Sequence, residues 1–463
     1  GRPDVVIVTL DTVRSDHLSL YGYERDTTPE LERIARGATL YTRAVASSDL
    51  TLSTHASLFT GLYARHHGAH LGRTTGAGRL SARVDTLAEI LRREGYQTAA
   101  VVGNPTYLSA RYGLARGFEH YDDRRPEPFH PELPAYLLGR ALRTALASIA
   151  PLDDAFRSAP YGYRRAAEIN REVGALLDRT RAPGRPLFLF VNYMDPHWPY
   201  APPAPFDRRF PGRLAAHEDA PGMSELAAAR RLERALSEAE RRHLVSQYDG
   251  EIAYTDGELG RLVERLSASG IYERALFVVT ADHGEAIGEH GLVGHGVSVY
   301  QNQVYVPLLI KFPNQREPVR VDERVSSVDV LPTVLDVLGL PIPDRVEGRS
   351  LAPGAPPRDR IVLAESYPGA LLHRAHPRFR RVARAVFAGD LKLIATTAGG
   401  RELYDLSRDP AERNDLYDAA APPHALERAL EAWLAGRAAA PRGSAGRPDA
   451  EMRARLRALG YLD

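Results

Sequence analysis

Three apolar, strand-length segments of the chain end in acids and histidines. Val5-Val6-Ile7-Val8 leads into Leu10-Asp11-Thr12, and Ala275 to Thr280 leads into Ala281-Asp282-His283-Gly284-Glu285. Leu187 to Val191 leads into Asn192-Tyr193, with Asp195-Pro196-His197 just beyond. Open α/β sheets bind ligands outside the carboxyl ends of their strands, so a site is expected at these tails. Two carboxylates and a neutral imidazole gathered there, as Asp11, Asp282 and His283 would be, suit one divalent cation. Zn²⁺ or Mn²⁺ fits such donors best, and Mg²⁺ or Ca²⁺ less well. One aspartate at a strand end would read more simply as a helix N-cap; the combination argues for a metal.

A fourth segment, Ser47-Ser48-Asp49-Leu50-Thr51-Leu52-Ser53-Thr54-His55 and on to Gly61, is a polar loop entering a short apolar helix that Gly61 closes. A hydroxyl at the start of a helix sits where backbone N–H groups and the positive end of the helix dipole stabilise an alkoxide or a bound anion. Thr51, Ser53 and Thr54 are the candidates, with plain helix capping as the competing use.

These tails need a frame. Strand-length apolar runs alternate with helix-length amphipathic stretches: Thr98 to Val102 follows Asp85 to Glu94, and Leu187 to Val191 follows Ala166 to Arg179. Such alternation predicts an α/β fold, with a large, mostly parallel mixed sheet between helices. Ala275 to Thr280 and Val306 to Phe312 are further buried strands, and Ser237 to Ser267 is the clearest helix. A Pro/Gly/Ala-rich stretch at Pro353 to Pro357 breaks the pattern, and Val382 to Phe387 and Lys392 to Thr396 beyond it are expected to pair as a hairpin. The expected division is a catalytic domain over 1–355 and a smaller α+β domain with an antiparallel sheet over 356–463. An insertion at about 126–160 includes a helix around Tyr136 to Ile149, whose apolar side suits packing, a lid or a membrane surface.

Composition narrows the function classes. Among 463 residues, 60 basic and 59 acidic side chains give a net charge of +1, so nothing gathers nucleic acid. The absence of cysteine removes disulfides, zinc-thiolate sites and cysteine nucleophiles together. No apolar run approaches the roughly 20 residues of a transmembrane helix. The chain starts without a leader, so a cytoplasmic protein and an exported one whose leader is absent from this chain are both open, as is the oligomeric state.

The ordered set Asp11, Thr51 to Gly61 with Ala56-Ser57-Leu58-Phe59-Thr60-Gly61, His67-Gly68, Asp282-His283-Gly284-Glu285, Glu289-His290-Gly291, Val306-Pro307-Leu308-Leu309-Ile310 and Leu403-Tyr404-Asp405-Leu406 with Asp409-Pro410 resembles the sulfatase family of the alkaline phosphatase superfamily. The resemblance spans Asp4 to about Asn414. It implies a mixed sheet of about ten strands, a small four-stranded antiparallel sheet with a helix, and hydrolysis of a phosphoric or sulfuric ester.

The departures from the family pattern are informative. The family's Cys or Ser, which becomes formylglycine, falls on Thr51, which cannot be so converted. The second aspartate of the family's pair is Thr12. The Lys and His that grip sulfate fall on Asn104 and Thr106, and a later Lys falls on His295. Thr106, and His283 where sulfatases carry Asn, are similar to the phosphonate monoester hydrolase and phosphodiesterase branch. The resemblance therefore implies a Thr51 nucleophile on one divalent ion held by Asp11, Asp282, His283 and Thr51 itself. His197 and His295 would flank the reacting group, and His55, in place of an Arg, would orient Thr51 or the anion. Fewer cations suit a phosphodiester's single negative charge better than a dianion, and the resemblance to that branch favours phosphodiesters, or phosphonate or phosphate monoesters, over sulfate esters. The alcohol side would be a small molecule, a lipid or a glycan. The other readings are a sulfate ester hydrolase, a head-group phosphotransferase and a binding protein whose catalysis has lapsed.

Overall fold

The computed structural model describes residues 1–72, 76–124, 163–182, 184–214, 221, 223–355, 360–441 and 443–444. The expected Tyr136 to Ile149 helix lies outside the described residues.

Eight strands form the main sheet. They are β1 (Val5–Leu10), β2 (Thr39–Val45), β3 (Gln97–Val102), β4 (His120–Asp122), β5 (Leu187–Tyr193), β6 (Leu276–Ala281), β7 (Leu308–Lys311) and β8 (Val319–Ser326), in the order β8-β2-β7-β6-β1-β5-β3-β4. Every neighbouring pair is parallel except those of β7, which runs against both β6 and β2. The sheet thus has eight strands among the described residues where about ten were implied. Each residue of β1, β5 and β6 is buried. Helices cover both faces of such a sheet, which is why these strands read as unbroken apolar runs without alternation.

The register sets the site. Leu10, the last residue of β1, pairs with Tyr193 and with Ala281, the last residues of β5 and β6. Asp11, Asp282 and the loop from Met194 to His197 therefore leave the sheet at one level. Six helices matter here: α1 (Pro29–Ala35), α2 (Thr51–Thr60), α3 (Leu87–Arg93), α4 (Ala166–Thr180), α5 (Glu238–Ala268) and α6 (Val330–Val337). The 31-residue α5 begins at a capping box in which Ser237 and Glu240 satisfy each other's backbone N–H groups, which fixes where it starts.

Beyond the main sheet, β9 (Val362–Ser366), β10 (Ala383–Ala388), β11 (Leu391–Thr396) and β12 (Arg401–Asp405) form an antiparallel sheet in sequence order. Leu426 and Leu430 of α7 (His424–Gly436) pack with Val386, Leu393 and Ala395. This sheet braces the loop ahead of α2: Glu365 N donates to Ser47 O at 2.9 Å, and Ser366 Oγ donates to Asp49 at 2.7 Å. The backbone that presents Thr51 is thus tied to a sheet more than three hundred residues away in the chain.

Candidate active site

Asp11 follows β1 directly, and Asp282 and His283 follow β6. Their ligand-capable atoms lie within 4.8 Å of one another, and all three residues are buried. One oxygen of each carboxylate is anchored. Asp282 Oδ1 accepts from the backbone N–H of Thr12 at 3.1 Å and of His283 at 2.9 Å. Asp11 Oδ2 accepts from Asn104 Nδ2 at 3.0 Å. The other oxygens, Asp11 Oδ1 and Asp282 Oδ2, are buried and have no hydrogen-bond partner. Anionic oxygens in that state are costly unless a cation meets them. Burial, and then the charge of Asp282, raise the Asp11 carboxyl well above its usual range.

His283 completes the set. Its Nδ1 donates to Gly284 O at 2.9 Å, which leaves Nε2 as the lone-pair nitrogen, 3.2 Å from Thr51 Oγ1. Gly284 is required at this bend because a Cβ there would lie 2.2 Å from Asn302 O. Two orphaned carboxylate oxygens, one imidazole nitrogen and one hydroxyl fit a divalent metal ion.

Thr51 opens α2, and the residue before it, Leu50, provides no side-chain cap. The Thr51 hydroxyl is therefore not spent on capping, and Thr54 instead donates to Ser48 O at 3.0 Å. His55, one turn along, donates from Nδ1 to Thr51 O at 2.8 Å, while Nε2 accepts from Thr9 at 2.9 Å. Burial lowers its pKa, so the ring is a neutral strut between β1 and the start of α2. Besides the backbone of Thr51 and Thr9, it meets Asp282, whose Oδ2 lies 3.6 Å from Nδ1.

His295 and His197 continue the line of rings. The His283 and His295 centroids are 4.5 Å apart, and those of His295 and His197 are 4.9 Å apart. His295 Nδ1 is 3.1 Å from Glu285, and Arg230 donates to the His295 carbonyl at 3.0 Å. Burial, reinforced by His295, pushes the His197 pKa down to about 3. Burial also holds His295 well below the ordinary histidine value.

Asn104 reaches Asp11, and its Oδ1 accepts from the backbone of Thr106 and Tyr107 at 3.1 and 3.0 Å. It thereby props a carboxylate and shapes its own turn. Thr106 Oγ1 is buried without a hydrogen-bond partner. Sequence reasoning missed four contributors: Thr12, Asn192, Glu285 and Arg230. Thr12 has φ of 61°, a left-handed conformation that is strained for a β-branched residue, and it aims its N–H at Asp282. Asn192 donates to Thr9 at 3.1 Å and so supports His55 indirectly. Glu285 stands inside the quoted Asp282-His283-Gly284-Glu285 run, and its position there was the available signal.

The sulfatase family model matches residues 3–340. The chain belongs to the sulfatase family. A second model, the C-terminal region of N-sulphoglucosamine sulphohydrolase, matches residues 288–436 of this sulfatase-family chain. Its relatives include an arylsulfatase of Clostridium perfringens, 25% identical over 450 residues that cover 90% of each protein. Another is the multifunctional alkaline phosphatase superfamily protein PehA of Trinickia caryophylli, 26% identical over 76% of this chain and 77% of that protein. Among solved structures, the phosphonate monoester hydrolase of Silicibacter pomeroyi superposes with a TM-score of 0.70 at 23% identity, covering 94% of this chain and 95% of that one. That of Agrobacterium radiobacter gives 0.68 at 24%, covering 93% and 94%. The sulfatase-family chain is a hydrolase acting on phosphoric or sulfuric ester bonds, in a family whose enzymes use a divalent metal. No helix among its described residues is long and apolar enough to cross a membrane.

Proposed function

We propose that this enzyme hydrolyses phosphodiesters, or phosphonate or phosphate monoesters, through a covalent ester on Thr51. The observation that carries the reading is the Thr51 hydroxyl, uncapped at the head of α2 and 3.2 Å from His283 Nε2, in a chain without cysteine. Asp11, Asp282, His283 and Thr51 would hold the ion. When bound, it would supply positive charge that favours the threonine alkoxide and offsets charge on the transferred group.

The chain's residues account for the remaining steps. Thr51 Oγ bonds to phosphorus as the bond from phosphorus to the leaving oxygen breaks, and the N-terminus of α2 faces the developing negative charge. His295 or His197 takes up the proton that leaves Thr51 and gives it to the departing oxygen. In the second step the same group takes a proton from water, which attacks phosphorus in line, and returns it to Thr51 as the bond from phosphorus to Oγ breaks. Charge favours a singly charged ester over a phosphate monoester dianion: Asn104 is bound to Asp11, and burial keeps His197 and His295 neutral in the resting site. Sulfate ester hydrolysis is the second reading, supported by the likeness to an arylsulfatase and by the Arg230 guanidinium beside His295.

The test is kcat/KM for matched p-nitrophenyl esters: a phosphodiester, a phosphonate, a phosphate and a sulfate, across about pH 5 to 9, where an ordinary histidine changes charge. Diester or phosphonate turnover is expected to lead throughout. Sulfate leading throughout would contradict the proposal.

A further inference from the structure

Beside the two histidines the protein holds a cavity that the steps above do not use. His197 and His295 form one edge, and Trp198, Leu226, Leu244, Ile287 and Val293 form its walls. Thr51, Asp11 and Asp282 do not line it. An in-line displacement drives the leaving oxygen away from its nucleophile, so the departing alcohol moves toward the histidines that can protonate it. The cavity is placed to receive that alcohol.

Its walls say what kind of alcohol. Leu226 and Leu244 are 5% and 6% exposed, and Ile287 is 1% exposed, and they give the cavity a largely aliphatic wall. Besides the histidines and Trp198, its polar lining is Tyr200, Arg230 and Glu285, and two of these already have work within the protein. Glu285 pairs with His295, and Arg230 donates to the His295 carbonyl. A sugar would bring a hydroxyl on most ring carbons, and each one buried against such walls without a partner is costly. An apolar group loses nothing there and gains by leaving water.

We infer that the alcohol released by this enzyme is apolar, with a ring or short alkyl group seated against Trp198, Leu226, Leu244 and Ile287, and is not a glycan. The inference rests on the proposed reaction only for which bond breaks. The acid portion of the ester can be phosphate or sulfate without changing it.

The experiment compares 4-methylphenyl, 4-propylphenyl and 4-(2,3-dihydroxypropyl)phenyl esters, whose phenols leave almost equally well, each made as a phosphodiester and as a sulfate. Ratios within one ester type report the cavity, and ratios between types report the proposed function. Each added methylene is expected to raise kcat/KM about fourfold, and the two added hydroxyls to lower it at least tenfold relative to propyl. Free 4-propylphenol, titrated calorimetrically against the whole protein, should bind more tightly than its dihydroxy counterpart. Leu226→Asn should flatten both trends, and the near-isosteric Val293→Thr should weaken them while preserving the fold. A flat alkyl series, equal turnover of the dihydroxy ester, or equal calorimetric affinity of the two phenols would each overturn the inference.

Discussion

His295 Nδ1 lies 3.1 Å from Glu285 Oε1 and 3.3 Å from Oε2, with both side chains buried. A carboxylate held this way fixes the ring's orientation and favours the cationic imidazole that must exist before it can donate a proton. Burial raises Glu285 itself to about 7 and holds His295 well below the ordinary histidine value. Glu285→Gln keeps the shape and removes the charge. It is expected to lower kcat about tenfold or more with poor leaving alcohols and much less with p-nitrophenol, which needs no acid. Plotting rate against leaving-group pKa checks this, because a purely structural defect would lower all substrates alike.

The metal assignment predicts tightly bound divalent ion in the purified protein, at one equivalent, by elemental analysis. Chelation should abolish turnover, and re-addition of Zn²⁺ or Mn²⁺ should restore it. Asp282→Ala, which removes charge and an anchored ligand together, is expected to lose about a hundredfold or more in kcat/KM. Activity indifferent to chelator in a metal-free protein would refute the assignment.

A second buried cluster lies behind His197 and makes a prediction about stability. Arg165 lies 3.6 Å from Asp195 and 3.4 Å from Glu251, one cation between two buried acids. Burial outweighs its attraction and raises Asp195 to about 6 and Glu251 to about 8. The folded protein therefore retains protons that the unfolded chain releases near pH 4. Stability from the pair is complete below about pH 4 and is lost as pH rises through about 6 and about 8. Glu251→Gln cannot titrate, so between about pH 5 and 8 its unfolding free energy should fall by about 3 kcal/mol less than that of the parent. Urea unfolding at both pH values measures the difference.

The sheet could be read from the sequence because its central strands are buried on both faces and carry uninterrupted apolar runs. The same runs placed Asp11, Asp282 and His283 at strand ends. Asn104 was legible as a site position, but its contact, like that of Thr12, resisted reading for one physical reason: each depends on which atom it bonds across a long stretch of chain. Asn104 meets Asp11 from 93 residues away, and Thr12 meets Asp282 from 270. Composition gives no sign of such pairings. The apolar cavity was equally hidden, since Leu226 and Leu244 belong to different helices and meet Ile287 and Val293 only in the folded chain.

The central claim is the covalent ester on Thr51, and the stereochemical course at phosphorus tests it most directly. A chiral phosphorothioate diester hydrolysed in ¹⁸O-labelled water should give product with retained configuration, because two in-line displacements invert twice. Thr51→Ala should meanwhile lose about a thousandfold or more in kcat with its fold unchanged, and the parent's Thr51 peptide should have the mass of an unmodified threonine. Inversion of configuration would mean that water attacks once and that Thr51 never carries the group, which would contradict the account.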